Sequence, residues 1–111
     1  MKKNLQISEL NDIYGALLTE HQRDVLTSYY DYDLSLAEIA ENGGVSRQAV
    51  RDAIVKAEEQ LSFFEEKLGL LKKSERNHVE ASVAFMALCN GDTEPAKEFL
   101  TRIADETVSR S

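Results

Sequence analysis

"LSLAEIAENGGVSRQAVRDAI", residues 34 to 54, decides how the chain reads. A helix-turn-helix needs a short first helix, a turn that often contains glycine, and a second helix packed across the first. Ser35 and Glu38 have capping-box spacing, so a short helix starts there, with Leu36, Ile39 and Ala40 facing inward. Ala40 is small enough for a close helix crossing. Asn42, Gly43 and Gly44 stop the helix, and Gly44 supplies the residue free to take positive φ. Ser46 then caps a second helix, and Ile39, Val45 and Val50 are expected to fill the small core between the two.

Helical patterning continues in both directions. Upstream, Leu10, Ile13, Tyr14, Leu17 and Leu18 repeat at three and four, one face of a helix with Ser8 as its expected cap. Thr19 and Gln22 repeat the capping-box spacing. They open a helix whose apolar face is Val25, Leu26, Tyr29 and Tyr30, ended by "DYD" at 31 to 33. Downstream, Val50, Ile54, Ala57, Leu61, Phe64, Leu68 and Leu71 step by four and three in a heptad pattern. Two partners suit that seam: the C-terminal helices of the same chain, or a second chain. Gly69 is expected to fray or bend the end of this long helix.

The stretch "KKSERNH", 72 to 78, reads as a polar connection or helix start. Val79, Val83, Met86 and Cys89, flanked by Phe85 and Leu88, make a largely apolar helix. "NGD" at 90 to 92 is a turn. Pro95 suits the first turn of a last helix, with Asp92 or Thr93 as its cap and Ala96, Phe99, Leu100, Ile103, Ala104 and Val108 as its apolar face. No strand alternation or internal repeat interrupts the pattern. The expected fold is all-α: residues 1–71 form a wingless helix-turn-helix domain with a long fourth helix. Residues 72–111 form a C-terminal helical hairpin packed on it as one structural unit.

The composition narrows the function. The chain has 111 residues, net charge -7, 42% hydrophobic and 30% charged residues, an ordinary balance for one globular domain. No long apolar run suggests a membrane span, and "MKKNLQISEL" lacks the apolar region of a secretory signal. Cys89 stands alone and cannot form an internal disulfide, so a cytoplasmic protein is expected. No segment is basic, which argues against binding nucleic acid through charge alone. A nucleic-acid site would be small and positioned by structure.

In a helix-turn-helix the first residues of the second helix reach base edges. Here those are Ser46, Arg47, Gln48 and Arg51. Arginine grips guanine O6 and N7, and glutamine pairs with adenine. Asp52 would repel phosphate from the same face, and its spacing favours a contact with Gln48 rather than Arg47. Lys56, one turn on, is a candidate backbone contact. Thr19, Gln22 and Arg23 are candidates at the start of the second helix, where free N–H groups favour phosphate. Lys2, Lys3, Lys72, Lys73 and Arg76 read as mobile or surface charges.

Catalysis finds no footing. His21 and His78 are isolated, without paired metal-ligand spacing, and His21 reads as solvated at a helix start. Cys89 reads as a buried small hydrophobe. Tyr29, Tyr30 and Tyr32 could stack on bases, but the first two fit core packing better. No cofactor is called for.

Residues 17 to 61 resemble the fourth region of bacterial sigma factors and, more closely, the small YlxM family of helix-turn-helix proteins. The residues that carry the likeness are "QRDVL" at 22 to 26, "LSLAEIAE" at 34 to 41, "VSRQAVRDAI" at 45 to 54 and "KAE" at 56 to 58. "ISELNDIYGALL" near the N-terminus and the total length are also similar to that family, whereas the last forty residues match it only loosely. The resemblance implies a regulatory role linked to the signal recognition particle pathway. The helix-turn-helix and its Arg47, Gln48 and Arg51 point to duplex DNA as the partner, and the two-fold logic of such readers to a homodimer. Another implied partner is a protein or RNA component of the signal recognition particle, bound as an adaptor would bind it. The family often carries two basic residues where this chain has Val55 and Lys56, which lightens phosphate contact on that face.

Overall fold

The computed structural model describes residues 3 to 108; Lys2 and the side chains of Thr107 and Val108 lie outside the described residues. Within them the chain is all-α, as expected. The helices are α1 (Gln6–Tyr14), α2 (Glu20–Tyr30), α3 (Leu36–Gly43), α4 (Arg47–Leu68), α5 (Leu70–Cys89) and α6 (Glu94–Val108). A 3-10 turn, Gly15–Leu17, separates α1 from α2. The chain forms two compact units, residues 1–71 and 72–111.

Local signals place most helix starts. The Thr19 hydroxyl accepts from the Gln22 N–H at 3.1 Å, and Gln22 Oε1 accepts from the Thr19 N–H at 3.1 Å. Ser35 and Glu38 repeat that reciprocal pair at the start of α3. Ser46 Oγ accepts from the Ala49 N–H at 3.0 Å and so opens α4. Each cap satisfies a donor that the helix itself cannot reach. Ser8 is not a cap. Helix α1 starts before it because Ile7 is already buried, at 3% exposure. Asn4 Oδ1 accepts from the Gln6 N–H instead, while Ser8 Oγ donates to Asp31 at 2.7 Å.

The α3–α4 turn divides its two glycines. Gly43 is the last residue of α3, and Gly44 takes the left-handed conformation, φ 65°. The Val45 N–H then returns to the Ala40 carbonyl at 3.0 Å and closes the helix end. The two positions should therefore respond oppositely to alanine. Gly44→Ala should destabilise by about 1–2 kcal/mol, because a Cβ is strained at that φ. Gly43→Ala should be neutral or stabilise by up to about 1 kcal/mol, since alanine restricts the unfolded chain at no cost to a helix. A Cβ there would meet only Val45 Cγ2, at 3.7 Å. Urea unfolding of the two variants measures both signs.

The heptad seam of α4 forms the core of the first unit. Val50, Ile54, Ala57 and Leu61 are at most 2% exposed and pack among Ile7, Leu10, Tyr14, Leu26 and Ile39. The seam is therefore covered by α1, α2 and α3 within the first unit. Its regular phase stops at Gly69, which takes φ 63° and ends α4. Leu68 consequently points outward at 57% exposure, and Leu71 is buried as part of α5. The 3-10 turn shifts the phase in the same way upstream: Leu18 is buried, but Leu17 is 60% exposed and leaves the expected inner face. Ile13, within α1, is 37% exposed at the edge of the stripe that Ile7, Leu10 and Tyr14 bury. Val45 is likewise 45% exposed and does not fill the inter-helix core. Tyr29 and Tyr30 pack as expected, and Tyr32 is exposed.

In the second unit, residues 72 to 78 are helical within α5, not a connection. The turn at Asn90–Asp92 has Gly91 at φ 85°, and Asp92 Oδ1 accepts from the Glu94 N–H at 3.1 Å. Pro95 follows in the first turn of α6, where its missing N–H leaves no donor to satisfy. Arg102 donates to Glu106 and Asn77 at 3.0 Å and also pairs with Glu80. Its hydrogen bond holds the Glu106 carboxyl below the usual range. Ala84 is buried, while Val79, Val83, Phe85, Met86, Leu88 and Leu100 remain exposed. Cys89 is exposed too, contrary to its reading as a buried hydrophobe. Lys3 is partly covered: its ammonium meets Asp33 at 2.5 Å and lies 4.5 Å from the centre of the Tyr29 ring.

Candidate nucleic-acid interface

Ser46 fixes the first turn of α4, and the side chains that follow it project to solvent. Arg47, Gln48, Arg51 and Asp52 are all exposed, whereas Val50 and Ile54 among them are buried. The heptad seam thus sets which side of α4 faces outward. Gln48 Nε2 donates to Asp52 Oδ1 at 2.8 Å, the contact expected from their spacing. That bond leaves Gln48 one amide proton and its carbonyl oxygen free.

The start of α2 lies beside the turn. A shallow cleft runs between them, and its lining includes His21, Asp24, Asn42, Gly43 and Val45. His21, Asp24 and Asn42 therefore border the α3–α4 turn. No spacing along the sequence singles them out, because the link between them is tertiary. Arg23 lies elsewhere: its Cδ sits 3.5 Å from where a Cβ on Gly15 would be, against the end of α1. Gln22 is half-buried, with its side chain engaged in the cap of α2. Lys56 is exposed, but nine residues after Arg47 it lies roughly half a turn around the helix from it. The structure thus groups Ser46, Arg47, Gln48 and Arg51, and sets Lys56, Gln22 and Arg23 apart from them.

Charge pairing separates these cations from the rest. Lys3, Lys73, Arg76, Lys97 and Arg102 each hold a carboxylate. Among the described residues no ion pair engages Arg23, Arg47, Arg51 or Lys56. Nor do any three His, Cys, Asp or Glu side chains among them gather to hold a metal ion. No helix among them is long and apolar enough to cross a membrane.

A short capped helix, a left-handed glycine turn and a second capped helix that exposes its first residues define a helix-turn-helix protein. Residues 1–85 match the family described as "Putative helix-turn-helix protein, YlxM / p13 like", UPF0122. The chain is 50% identical over 112 residues to the UPF0122 protein of Clostridium perfringens strain SM101, covering 98% of this chain and 99% of that one. It is 54% identical over 76 residues to a UPF0122 protein of Clostridium botulinum, 68% of this chain and 70% of the relative. With one from Clostridium kluyveri it shares 50% identity over 80 residues, 72% of this chain and 70% of the relative. The chain belongs to the UPF0122 family, which is the resemblance its sequence suggested.

Proposed function

We propose that the chain is a small cytoplasmic regulatory protein that binds duplex DNA through the first turns of α4, as a binding protein and not as an enzyme. One observation carries the reading. Among the described residues Arg47 and Arg51 are exposed and outside any ion pair, on the projecting end of a capped helix, while five other cations are paired. Arg47, Gln48 and Arg51 read base edges in this account, and Ser46 supports them by capping the helix. Arg23, Gln22 and Lys56 are at most peripheral contacts to phosphate. The protein acts as a homodimer, which matches two half-sites about one helical turn apart.

The acidic balance now has a role. Few phosphates are contacted, so the reading head has little sequence-blind affinity and a shallow salt slope. Selection of fragments from a genomic DNA pool, followed by sequencing, tests the reading. Wild type should enrich a defined, palindromic site. The Arg47→Ala/Arg51→Ala variant should lose at least about tenfold in affinity for it, since a bidentate arginine–guanine pair contributes about 1–3 kcal/mol of discrimination. A pool with no enriched site, or a variant equal to wild type, would sink the DNA reading.

A second reading, an adaptor that binds a protein or ribonucleoprotein, is favoured by a different observation. Val79, Val83, Phe85, Met86, Leu88 and Leu100 expose apolar surface on α5 and α6. Val79, Val83 and Met86, at i, i+4 and i+7, share one face of α5, and a contiguous exposed apolar face marks an interaction site. The link to the signal recognition particle belongs to this reading. Retention of that particle's RNA or protein by wild type, unchanged in the arginine variant, would select it.

A further inference from the structure

Helix α4 is electrically divided. Residues 47 to 56 carry Arg47, Arg51 and Lys56 against Asp52, and residues 57 to 68 carry Glu58, Glu59, Glu65 and Glu66 against Lys67. The second half cannot lie along a phosphate backbone. It is not simply a solvated face either. Val55 and Phe63 are 41% and 55% exposed, and they line a groove with Ile7, Glu59, Ser62 and Glu66. Among the described residues no side-chain hydrogen bond or ion pair engages Glu59 or Glu66. Glu58, also on the groove, accepts from the Tyr30 hydroxyl; burial and that carboxylate push the tyrosine up to about 12.

We propose that this groove docks a cationic amphipathic helix of a partner protein. Charge complementarity selects the occupant: an apolar strip edged by free carboxylates fits apolar anchors edged by lysine or arginine. Spacing agrees with it. Val55 and Phe63 are eight residues apart, roughly 12 Å along the axis. That is close to the roughly 10.5 Å between anchors at i and i+7 on a helix laid in a groove. The Phe63 ring also accepts a cation on its face, since Lys67 Nζ lies 5.6 Å from its centre. The groove runs from Val55, one turn beyond Arg51, to Glu66, and none of Arg47, Gln48 and Arg51 lines it, so it can be tested apart from the nucleic-acid reading.

The probe is a labelled synthetic helix-forming peptide with leucines at i, i+4 and i+7 and lysines on the flanking positions, titrated by fluorescence anisotropy. The whole protein should bind it, and should not bind the same peptide with glutamates for lysines. Phe63→Ser and the Glu59→Gln/Glu66→Gln pair should each weaken binding at least about tenfold, as loss of an interface anchor does. All three side chains are exposed, so a circular dichroism melt should match wild type. Glu41→Gln/Glu75→Gln, which removes equal charge elsewhere, should leave binding unchanged, as should Arg47→Ala/Arg51→Ala. Absence of binding would overturn the proposal. So would an equal loss in the Glu41/Glu75 variant, which would mean charge attraction without a groove. Self-association of the free protein that Phe63→Ser abolishes would overturn it too, by making a second copy the occupant.

Discussion

Tyr14→Ala should lower the stability of the helix-turn-helix unit by about 3–5 kcal/mol, the range for removing a buried aromatic side chain. Tyr14 is 1% exposed, and its ring packs 5.9 Å from that of Phe64. Its hydroxyl adds a polar role. It donates to Glu65 at 2.7 Å and accepts from the Leu70 N–H at 3.0 Å, while Glu65 accepts from the Leu71 N–H at 3.0 Å. Those two N–H groups open α5, which starts directly after Gly69 and has no serine, threonine or aspartate to cap it. A tyrosine from α1 and a glutamate from α4 cap it from outside. Tyr14→Phe keeps the ring and leaves the Leu70 donor without a partner, so about 1–3 kcal/mol should be lost. Glu65→Gln keeps an acceptor for both donors and should cost less than Tyr14→Phe. Urea unfolding of the three variants should give that order. A Tyr14→Phe variant as stable as wild type would show that the external cap contributes nothing.

That cap also marks where the sequence stops being legible. Helix starts set by a residue and its neighbour three positions on are readable: Thr19 with Gln22, Ser35 with Glu38, and Ser46. The cap of α5 is not, because its parts are 51 residues apart along the chain. The same division holds for burial. The α4 seam is visible as a heptad, but its partner is not, since a heptad fixes the phase of a helix and not what covers it. Leu17 departs from the expected face because the period assumes an unbroken helix, and the 3-10 turn changes the rotation after Tyr14; Ile13 lies within α1, at the edge of the stripe that Ile7, Leu10 and Tyr14 bury. Cys89 escapes the sequence reading because an apolar helix implies burial only if another element covers it. At the candidate interface, Arg47, Gln48 and Arg51 are legible from position in the motif. The separation of Lys56 follows from its place half a turn around α4, but the position of Arg23 against the end of α1 and the approach of His21 and Asn42 to the turn depend on packing between helices.

Ile54→Ala and Val55→Ala, adjacent in sequence, should differ by most of the stability that a typical core side chain contributes. Ile54 is fully buried where α4 meets α1, α2 and α3. Removing its outer atoms leaves a cavity that four packed helices cannot easily close, so about 2–5 kcal/mol should be lost. Val55 is 41% exposed on the groove and lies outside that core, so its replacement should change stability by no more than about 0.5 kcal/mol. Alanine's better helix propensity offsets part of the packing that the valine methyls provide. The pair also separates folding from binding. Under conditions where the Ile54→Ala protein is still folded, α4 keeps Arg47 and Arg51 in place, so affinity for an enriched DNA site should be near wild type. Val55→Ala should leave DNA binding and stability alone and weaken binding of the cationic peptide. If both substitutions cost the same stability, the buried stripe of α4 is not the one that Val50, Ile54, Ala57 and Leu61 define, and the outward assignment of Arg47 and Arg51 fails with it.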